Sequence, residues 1–341
     1  MTASLLLLRS LNKTDWKVGP TADCGRIIMK IGFSSLVCPT WNLETIVVNA
    51  AKFGFQGVEL RGLCGELHLP LAPDLTRDPE GVRRLFAENH IELVCLGASV
   101  TLSSKDSREV ARQKGVAIEF MEFANKVGCP YVRIFVGEAD RWDNQRAALA
   151  RIAQALISLA PVASRLGVTL LVENGGDFPG SAELWFLIDA VGRPAVRCCW
   201  NQCNAMTIRE RATNSIPRLG NKIGMIHVCD GKFDEAGALL SYTPPGQGDV
   251  EVKRQIDLLK GLVYDRYLVF EWPKLWVDSL PPPESVLPGA ARFLRETIDA
   301  RQPILSAYKG DKNAPKLASR RVSTSSVPSY DPPNGRKDSH R

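Results

Sequence analysis

The sequence predicts an α/β protein of the (β/α)8 TIM barrel type. Eight short apolar segments typical of strands occur between residues 30 and 273, and helical stretches and polar turns alternate with them. Parallel strands need such crossovers, and eight repeats favour a closed barrel over an open doubly wound sheet. No Gly-x-Gly-x-x-Gly motif follows the first strand, so a dinucleotide site in an open sheet has no support.

The predicted elements follow one another along the whole body of the chain. Strands are predicted at residues 30–35, 57–61, 91–97, 131–137, 168–174, 195–201, 223–230 and 267–273. Apolar residues recur at helical spacing over 42–54, 108–128 and 144–167, and each of these stretches ends at a glycine. The segment after the sixth strand has the weakest helical pattern.

The chain divides into three parts by composition. Residues 29–302 are predicted to form the barrel. Residues 1–28 are interpreted as an N-terminal extension without fixed structure or as a mis-assigned start, because Met29 directly precedes the first strand. Residues 303–341 are polar, rich in proline and serine and poor in large aliphatic residues, which predicts a disordered basic tail.

Charge and apolar content exclude two classes of partner. The formal net charge is +6, and much of the excess lies in the tail, so we expect no nucleic-acid partner. No apolar stretch reaches the roughly 20 residues that cross a bilayer, so we expect no membrane association. The nine cysteines show no metal-binding spacing, which favours buried thiols in a cytoplasmic protein.

Chemistry-bearing side chains lie at the ends of the later strands. Glu173 ends the fifth strand, His227 lies in the seventh and Glu271 in the eighth. The functional face of a barrel is at the carboxyl ends of its strands. A glutamate flanked by apolar residues needs a partner, and two glutamates with a histidine can compensate one another by sharing a divalent cation. The residues alone therefore favour a metal site.

These motifs resemble those of a known family. The sequences "GVEL" (57–60), "VEN" (172–174), "IHVCD" (226–230), "GQGDVEV" (246–252) and "FEW" (270–272) carry the resemblance. The body of the chain, from about residue 30 to 301, is similar to the xylose isomerase-like TIM barrels and within them to the sugar phosphate isomerase/epimerase group.

The resemblance implies an activity and a ligand set. One divalent metal, Mn²⁺ or Mg²⁺, would be held by Glu173, the residue at position 201, His227 and Glu271. The two glutamates would also act as an acid/base pair that moves a proton at the carbon beside a carbonyl. The chain is accordingly expected to be a sugar or sugar phosphate isomerase or epimerase in carbohydrate metabolism.

Two positions depart from the family pattern. Asn201 stands where the family has an aspartate, and Asn204 where it often has a histidine. A neutral amide removes one negative charge from the ligands, which predicts weaker binding of Mg²⁺ or Mn²⁺. Three interpretations stay open: the metal binds with altered affinity, the enzyme works without it, or catalysis has been lost.

The predicted ligand is a small sugar or polyol, and the resemblance also implies a homo-oligomer. Residues at or near the strand ends are expected to contact the substrate, namely Glu59, Arg133, Asn204, Asp230, Lys232 and Trp272. Arg133 and Lys232 could bind a phosphate or carboxylate or else pair with strand-end acids, and Trp272 could stack on a sugar.

Two other functions are compatible with the sequence, and a third is not. A non-catalytic barrel that binds sugars or metabolites, with a degenerate metal site, is compatible with Asn201 and Asn204. A dehydratase would use the same base to expel a hydroxyl group. An endonuclease of the same superfamily needs a zinc cluster with many histidines, and this chain has only four.

Overall fold

Eight parallel strands close into a barrel in the computed structural model, which describes residues 29–140 and 143–300. The barrel strands, in chain order, are β1 Lys30–Ser34, β2 Gly57–Leu60, β3 Glu92–Gly97, β4 Tyr131–Phe135, β5 Thr169–Glu173, β6 Val196–Asn201, β7 Ile223–Val228 and β10 Tyr267–Phe270. Two further strands, β8 Gly231–Phe233 and β9 Leu239–Tyr242, form a separate two-stranded sheet. Strands β1 to β7 are neighbours in order, and β10 closes the barrel between β7 and β1. The predicted fold is confirmed, with each strand slightly shorter than expected. The predicted N-terminal segment 1–28 and tail 303–341 lie outside the described residues.

Helices connect the strands on the outside. They are α1 Leu43–Phe53, α2 Pro73–Thr76, α3 Pro79–Glu88, α4 Ser107–Val127, α5 Gln145–Leu166, α6 Ser181–Val191, α7 Gln202–Ala205, α8 Ala212–Leu219, α9 Val252–Gly261 and α10 Pro283–Asp299. The three helices predicted from apolar spacing are α1, α4 and α5. After β6 the chain forms only the four-residue α7 and a 3-10 turn before α8, in keeping with the weak helical pattern there.

Local sequence sets the ends of these helices. Asn42 and Asp106 precede α1 and α4, and their side chains accept hydrogen bonds from the backbone N–H groups of Thr45 and Arg108. Both helices end at a glycine with positive φ, 77° at Gly54 and 72° at Gly128. A left-handed residue stops the helix, and glycine adopts it without a Cβ clash.

Helix α5 has the length and composition of a membrane span, with a mean hydropathy of 1.4 over 18 residues. From the sequence, no apolar segment of this length is expected. In this structure α5 lies between α4 and α6, and Ile152, Leu156 and Leu159 on its inner face are buried. It therefore serves as one of the barrel helices, whose inner faces bury apolar side chains.

The barrel interior has an apolar lower layer. It consists of Val94, Cys95, Leu171, Cys199, Met225, Tyr267 and Val269. Side chains alternate along a strand, so the residue two positions further on points to the same interior. Leu171, Cys199, Met225 and Val269 are followed in this way by Glu173, Asn201, His227 and Glu271. A polar layer thus lies directly above the apolar one, toward the carboxyl ends of the strands.

Candidate active site

A cavity of about 370 Å³ opens at the carboxyl ends of the strands. Five of the ten predicted site residues line it: Arg133, Glu173, Asn201, Asn204 and Glu271. The other lining residues are Leu36, Arg61, Phe135, Cys203, Thr207, Cys229, Phe233, Leu239, Tyr242, Pro273 and Trp276. The amide nitrogen of Asn204 donates to the backbone carbonyl of Asn174 at 2.8 Å, which fixes it at the rim.

His227 lies beneath this cavity and is fully buried between two carboxylates. Its Nδ1 is 2.9 Å from Glu173 Oε1, and its Nε2 is 3.1 Å from Glu59 Oε2. Burial disfavours the charged ring, but Cys199 and these carboxylates outweigh it and raise the pKa of His227 well above its usual value. With a carboxylate at each nitrogen, the ring is held as a cation that joins Glu59 to Glu173.

Arg133 supplies a second buried positive charge. Its Nε lies 3.1 Å from Glu173 Oε2 and 3.8 Å from Glu59 Oε1, and its guanidinium carbon is 4.2 Å from the centre of the Phe135 ring. Burial would raise the pKa of Glu59, but His227 and Arg133 outweigh it and lower that pKa to about 2. The same two cations lower the pKa of Glu173. Both carboxylates are therefore ionised.

Glu271 has a different environment from Glu173. Its side chain is 14% exposed, and its one ion pair within the described residues is the long one to His227, whose Nδ1 lies 3.8 Å from Oε1. Burial raises its pKa to about 6; His227 opposes the rise, and Glu173 and Glu59 add to it. The cavity thus presents one firmly ionised carboxylate and one that holds its proton more readily.

Asn201 lies between these two glutamates. Its Nδ2 donates to Glu173 Oε1 at 3.1 Å and to Glu271 Oε2 at 2.9 Å. Its Oδ1 accepts from the backbone N–H of Cys203 at 3.1 Å, the bond that begins α7. Reversing the amide would place its NH₂ group against the Cys203 N–H and an oxygen against two carboxylates. The neighbours therefore fix this orientation, in which a nitrogen and no oxygen faces the glutamates.

Of the four ligands implied for Mn²⁺ or Mg²⁺, Asn201 is the one that does not fit this arrangement, because it turns an amide nitrogen and no oxygen to the glutamates. A group of described residues could still hold a metal ion: Glu173, Cys199 and His227, whose ligand atoms lie within 4.8 Å of one another. A cysteine sulfur with an imidazole suits zinc better than magnesium or manganese, although burial raises the pKa of the Cys199 thiol to about 12.

Arg61 belongs to the site although the predicted set of site residues omitted it. It follows β2, is 5% exposed and lines the cavity. Its Nη2 donates to Ser99 Oγ at 2.7 Å, and its guanidinium carbon is 5.6 Å from the centre of the Trp276 ring. The signal in the sequence is that Arg61 lies two residues after Glu59. Because side chains alternate along a strand, both side chains point to the barrel interior, and that of Arg61 lies nearer the mouth of the cavity.

Asp230, predicted to contact substrate, instead organises a loop. Its carboxylate oxygens accept four backbone hydrogen bonds, from Gly231 and Val250 to Oδ1 and from Gly246 and Gly248 to Oδ2. It is 1% exposed and does not line the cavity. Glu59 also lies below the cavity, where it pairs with His227 as described above. Both oxygens of Asp230 are thus occupied, and Glu59 is fully buried and does not line the cavity.

Two further predicted contacts lie away from the cavity. Lys232 is on the β8–β9 hairpin, where its Nζ pairs with Asp249 Oδ1 at 2.8 Å. Trp272 is 2% exposed, and its indole N–H donates to the Pro281 carbonyl at 3.2 Å. The tryptophan that lines the cavity is Trp276, which is 54% exposed. Trp272, predicted as a stacking residue, therefore does not face the cavity, whereas Trp276 does.

Comparisons with known proteins agree with this geometry at the level of the fold. The sequence matches the family described as xylose isomerase-like TIM barrel over residues 47–297. No curated protein sequence matches the chain significantly.

Solved structures of similar fold include sugar epimerases. A D-psicose 3-epimerase, solved in the presence of D-fructose, has 17% identity and a TM-score of 0.66, and the match covers 80% of this chain and 100% of the other. The IolI protein with a bound zinc atom has 18% identity and a TM-score of 0.70, with 79% and 98% covered. A 3-keto-D-glucoside 4-epimerase from E. coli has 14% identity and a TM-score of 0.64, with 79% and 99% covered.

Proposed function

Since this chain belongs to the xylose isomerase-like TIM barrel family, we propose that it is a sugar isomerase or epimerase. Glu173 and Glu271 transfer a proton at the carbon beside the substrate carbonyl. Similar solved structures are those of sugar epimerases, which supports the reaction class but not a particular substrate.

One observation carries this proposal: two carboxylates of different character line the same cavity. Glu173 is paired with Arg133 and His227 and stays ionised, which suits a base. Glu271 lies nearer the mouth and keeps a proton more readily, which suits an acid. Pairs of titratable groups with pKa values driven apart by their surroundings are typical of acid/base sites.

The reaction follows from these positions. Glu173 removes the proton from the carbon beside the carbonyl, and negative charge develops on the carbonyl oxygen. Return of a proton to the opposite face of the same carbon gives an epimer. Return to the former carbonyl carbon, with the hydroxyl proton of the deprotonated carbon passing to the former carbonyl oxygen, gives an isomer. The guanidinium group of Arg133 lies beside Glu173 and lines the cavity, where it offers positive charge to the developing oxyanion.

The proposed reaction does not depend on Mn²⁺ or Mg²⁺. In this family the ion would compensate the glutamates and polarise the carbonyl. Here Arg133 and His227 compensate Glu173, and the amide of Asn201 bridges Glu173 to Glu271. We therefore expect activity to survive exhaustive treatment with a chelator.

Solvent exchange tests the proposal directly. The protein is incubated with a panel of ketoses in D₂O, and proton NMR follows loss of the C–H signal beside the carbonyl. We expect enzyme-dependent exchange and an epimer or isomer as product. Glu271→Gln should lower the exchange rate by about 10²- to 10⁴-fold, because it removes a group that carries the proton.

Control variants separate this result from unfolding. Glu122→Gln, on the exposed side of α4, should leave exchange unchanged. Glu173→Gln should also abolish exchange, and circular dichroism reports whether this buried variant folds. Binding of ketoses without exchange would contradict the proposal and leave the non-catalytic barrel. A product lighter by one water would favour the dehydratase.

A further inference from the structure

Arg61 is a buried cation that none of the described carboxylates neutralises at close range. Only 5% of it is exposed, and the ion pairs formed within residues 29–140 and 143–300 do not include it. Its one side-chain hydrogen bond among these residues goes to a neutral hydroxyl, Ser99 Oγ. A buried charge without a partner is costly, so a protein that retains one usually has a ligand to meet it.

Three guanidinium nitrogens beside the cavity have no hydrogen-bond acceptor within the described residues. They are Arg61 Nη1, Arg133 Nη2 and Arg133 Nε, all shielded from solvent in this conformation. Nε still lies 3.1 Å from Glu173 Oε2, and Arg133 Nη1 donates to the Ala98 carbonyl. Arg61 Nη1 and Arg133 Nη2 are therefore left without a partner on two side chains that line the cavity.

Gly97, at the end of β3, makes room for both arginines. A methyl group at this position would lie 2.7 Å from Arg61 Cδ and 2.9 Å from Arg133 Nη2. Any side chain at position 97 would push one guanidinium group away from the other. The two cations are thus close neighbours, and burial together with repulsion from Arg133 lowers the pKa of Arg61 to about 10.

We propose that the substrate of this site is a sugar acid and that Arg61 and Arg133, whose side chains line the cavity, turn their unpartnered Nη1 and Nη2 to its carboxylate. The inference rests on the proposed function and names its substrate class. Two donors match the two oxygens of a carboxylate, whose planar shape suits guanidinium groups. A neutral ketose would leave the charge of Arg61 unmatched, and a phosphate would bring more oxygens than there are free donors.

The test compares substrates that differ only in charge. A 2-keto sugar acid, the neutral ketose of the same chain length and the corresponding ketose phosphate are assayed by deuterium exchange. We expect kcat/KM to be highest for the sugar acid. Arg61→Gln should lower kcat/KM for the acid by about 100-fold and reduce the ratio of acid to neutral substrate accordingly.

Two further variants make the result specific. Gly97→Ala keeps both charges but displaces them, and it should reduce the same ratio. Arg211→Gln removes an exposed arginine that pairs with Glu251 outside the cavity, and it should leave the ratio unchanged. If the sugar acid and the neutral ketose had equal kcat/KM values and Arg61→Gln changed neither, the inference would be overturned while the proposed function stands. Preference for the phosphate would also overturn it.

A binding measurement does not depend on turnover. Calorimetry with an aldonate, which has no carbonyl to react, should show binding that the corresponding alditol lacks and that Arg61→Gln removes. Suppose that the aldonate binds in this way but no substrate shows deuterium exchange. That outcome would support the carboxylate site and contradict only the proposed function. Equal affinity for aldonate and alditol would overturn the inference.

Discussion

Asn201 shows how one atom decides the chemistry of a site. An aspartate at this position could keep the bond to Cys203 N–H with one oxygen and offer the other to a cation. Asparagine keeps the same bond and offers an NH₂ group, which the two glutamates accept. The change of one atom replaces a bridging cation by a bridging hydrogen-bond donor.

Asn201→Asp should therefore create a metal requirement. Without a cation, a third carboxylate beside Glu173 and Glu271 should lower the free energy of unfolding by about 3 kcal/mol, as an unpaired buried charge does. Mn²⁺ should restore much of this loss in urea unfolding and bind stoichiometrically by electron paramagnetic resonance. The natural protein should show neither effect.

The matched control is Asn144→Asp, the same change at the cap of α5, outside the cavity. It should gain no Mn²⁺ affinity. Equal stabilisation of the natural protein by Mn²⁺ would show that Asn201 does ligate the ion and would contradict the orientation described here.

Residue positions were easier to predict than residue partners. The strand ends gave Glu173, His227 and Glu271 as one group, and the family resemblance added Asn201. The spacing could not show that His227 reaches down to Glu59 or that Arg61 stands beside Arg133. Those contacts depend on side-chain length and on the space left by Gly97, which no local pattern records.

The loop between β9 and α9 is bound by the carboxylate of Asp230. Asp230 accepts four backbone hydrogen bonds, so its two oxygens are fully used. Hydrogen bonds to a charged group are stronger than neutral ones, and buried N–H groups without an acceptor are costly. This residue should therefore matter for the element although it does not face the cavity.

Asp230→Asn should lower the free energy of unfolding by about 3 kcal/mol, because one oxygen becomes a donor that faces N–H groups. Urea unfolding measures the loss. Asp234→Asn is the control, since its Oδ1 accepts only the N–H of Ala238 in the exposed hairpin turn, and it should cost less than about 1 kcal/mol. Equal losses would show that the four bonds at Asp230 contribute little.

The same segment shows where element prediction failed. The seventh strand was expected to run to residue 230, but β7 ends at Val228 and Asp230 turns into the loop. The short hairpin of β8 and β9 was not expected. Its three- and four-residue strands are too short for an alternating pattern to distinguish them from a loop.

At the scale of the molecule, eightfold repetition was enough to predict the barrel. Each strand is buried on both sides, so its sequence is a continuous apolar run. Each connection between strands shows apolar residues at helical spacing or ends at a glycine. The loops at the carboxyl ends of the strands have no such repetition. For these loops the sequence indicated candidate residues but not their positions in the structure.

The predicted barrel boundaries can be tested by shortening the chain to residues 29–302. We expect this chain to unfold cooperatively at the same temperature as the full chain, because the barrel strands and helices described here all lie within it. Calorimetry measures the midpoint. A chain shortened further to 29–282, without α10, is the control and should be strongly destabilised, since Leu287, Ala291 and Leu294 are buried. Loss of folding in the 29–302 chain would contradict the boundaries.

In the proposed reaction, the apolar layer below the site limits where protons exchange with water. Its seven side chains are at most 5% exposed, so they close the barrel underneath. Among the acids of the polar layer, Glu59 and Glu173 are almost wholly enclosed, and the side chain of Glu271 is 14% exposed. The deuterium that enters the substrate from D₂O is therefore expected to arrive through the mouth of the cavity, on the side of Glu271, and not through the base of the barrel.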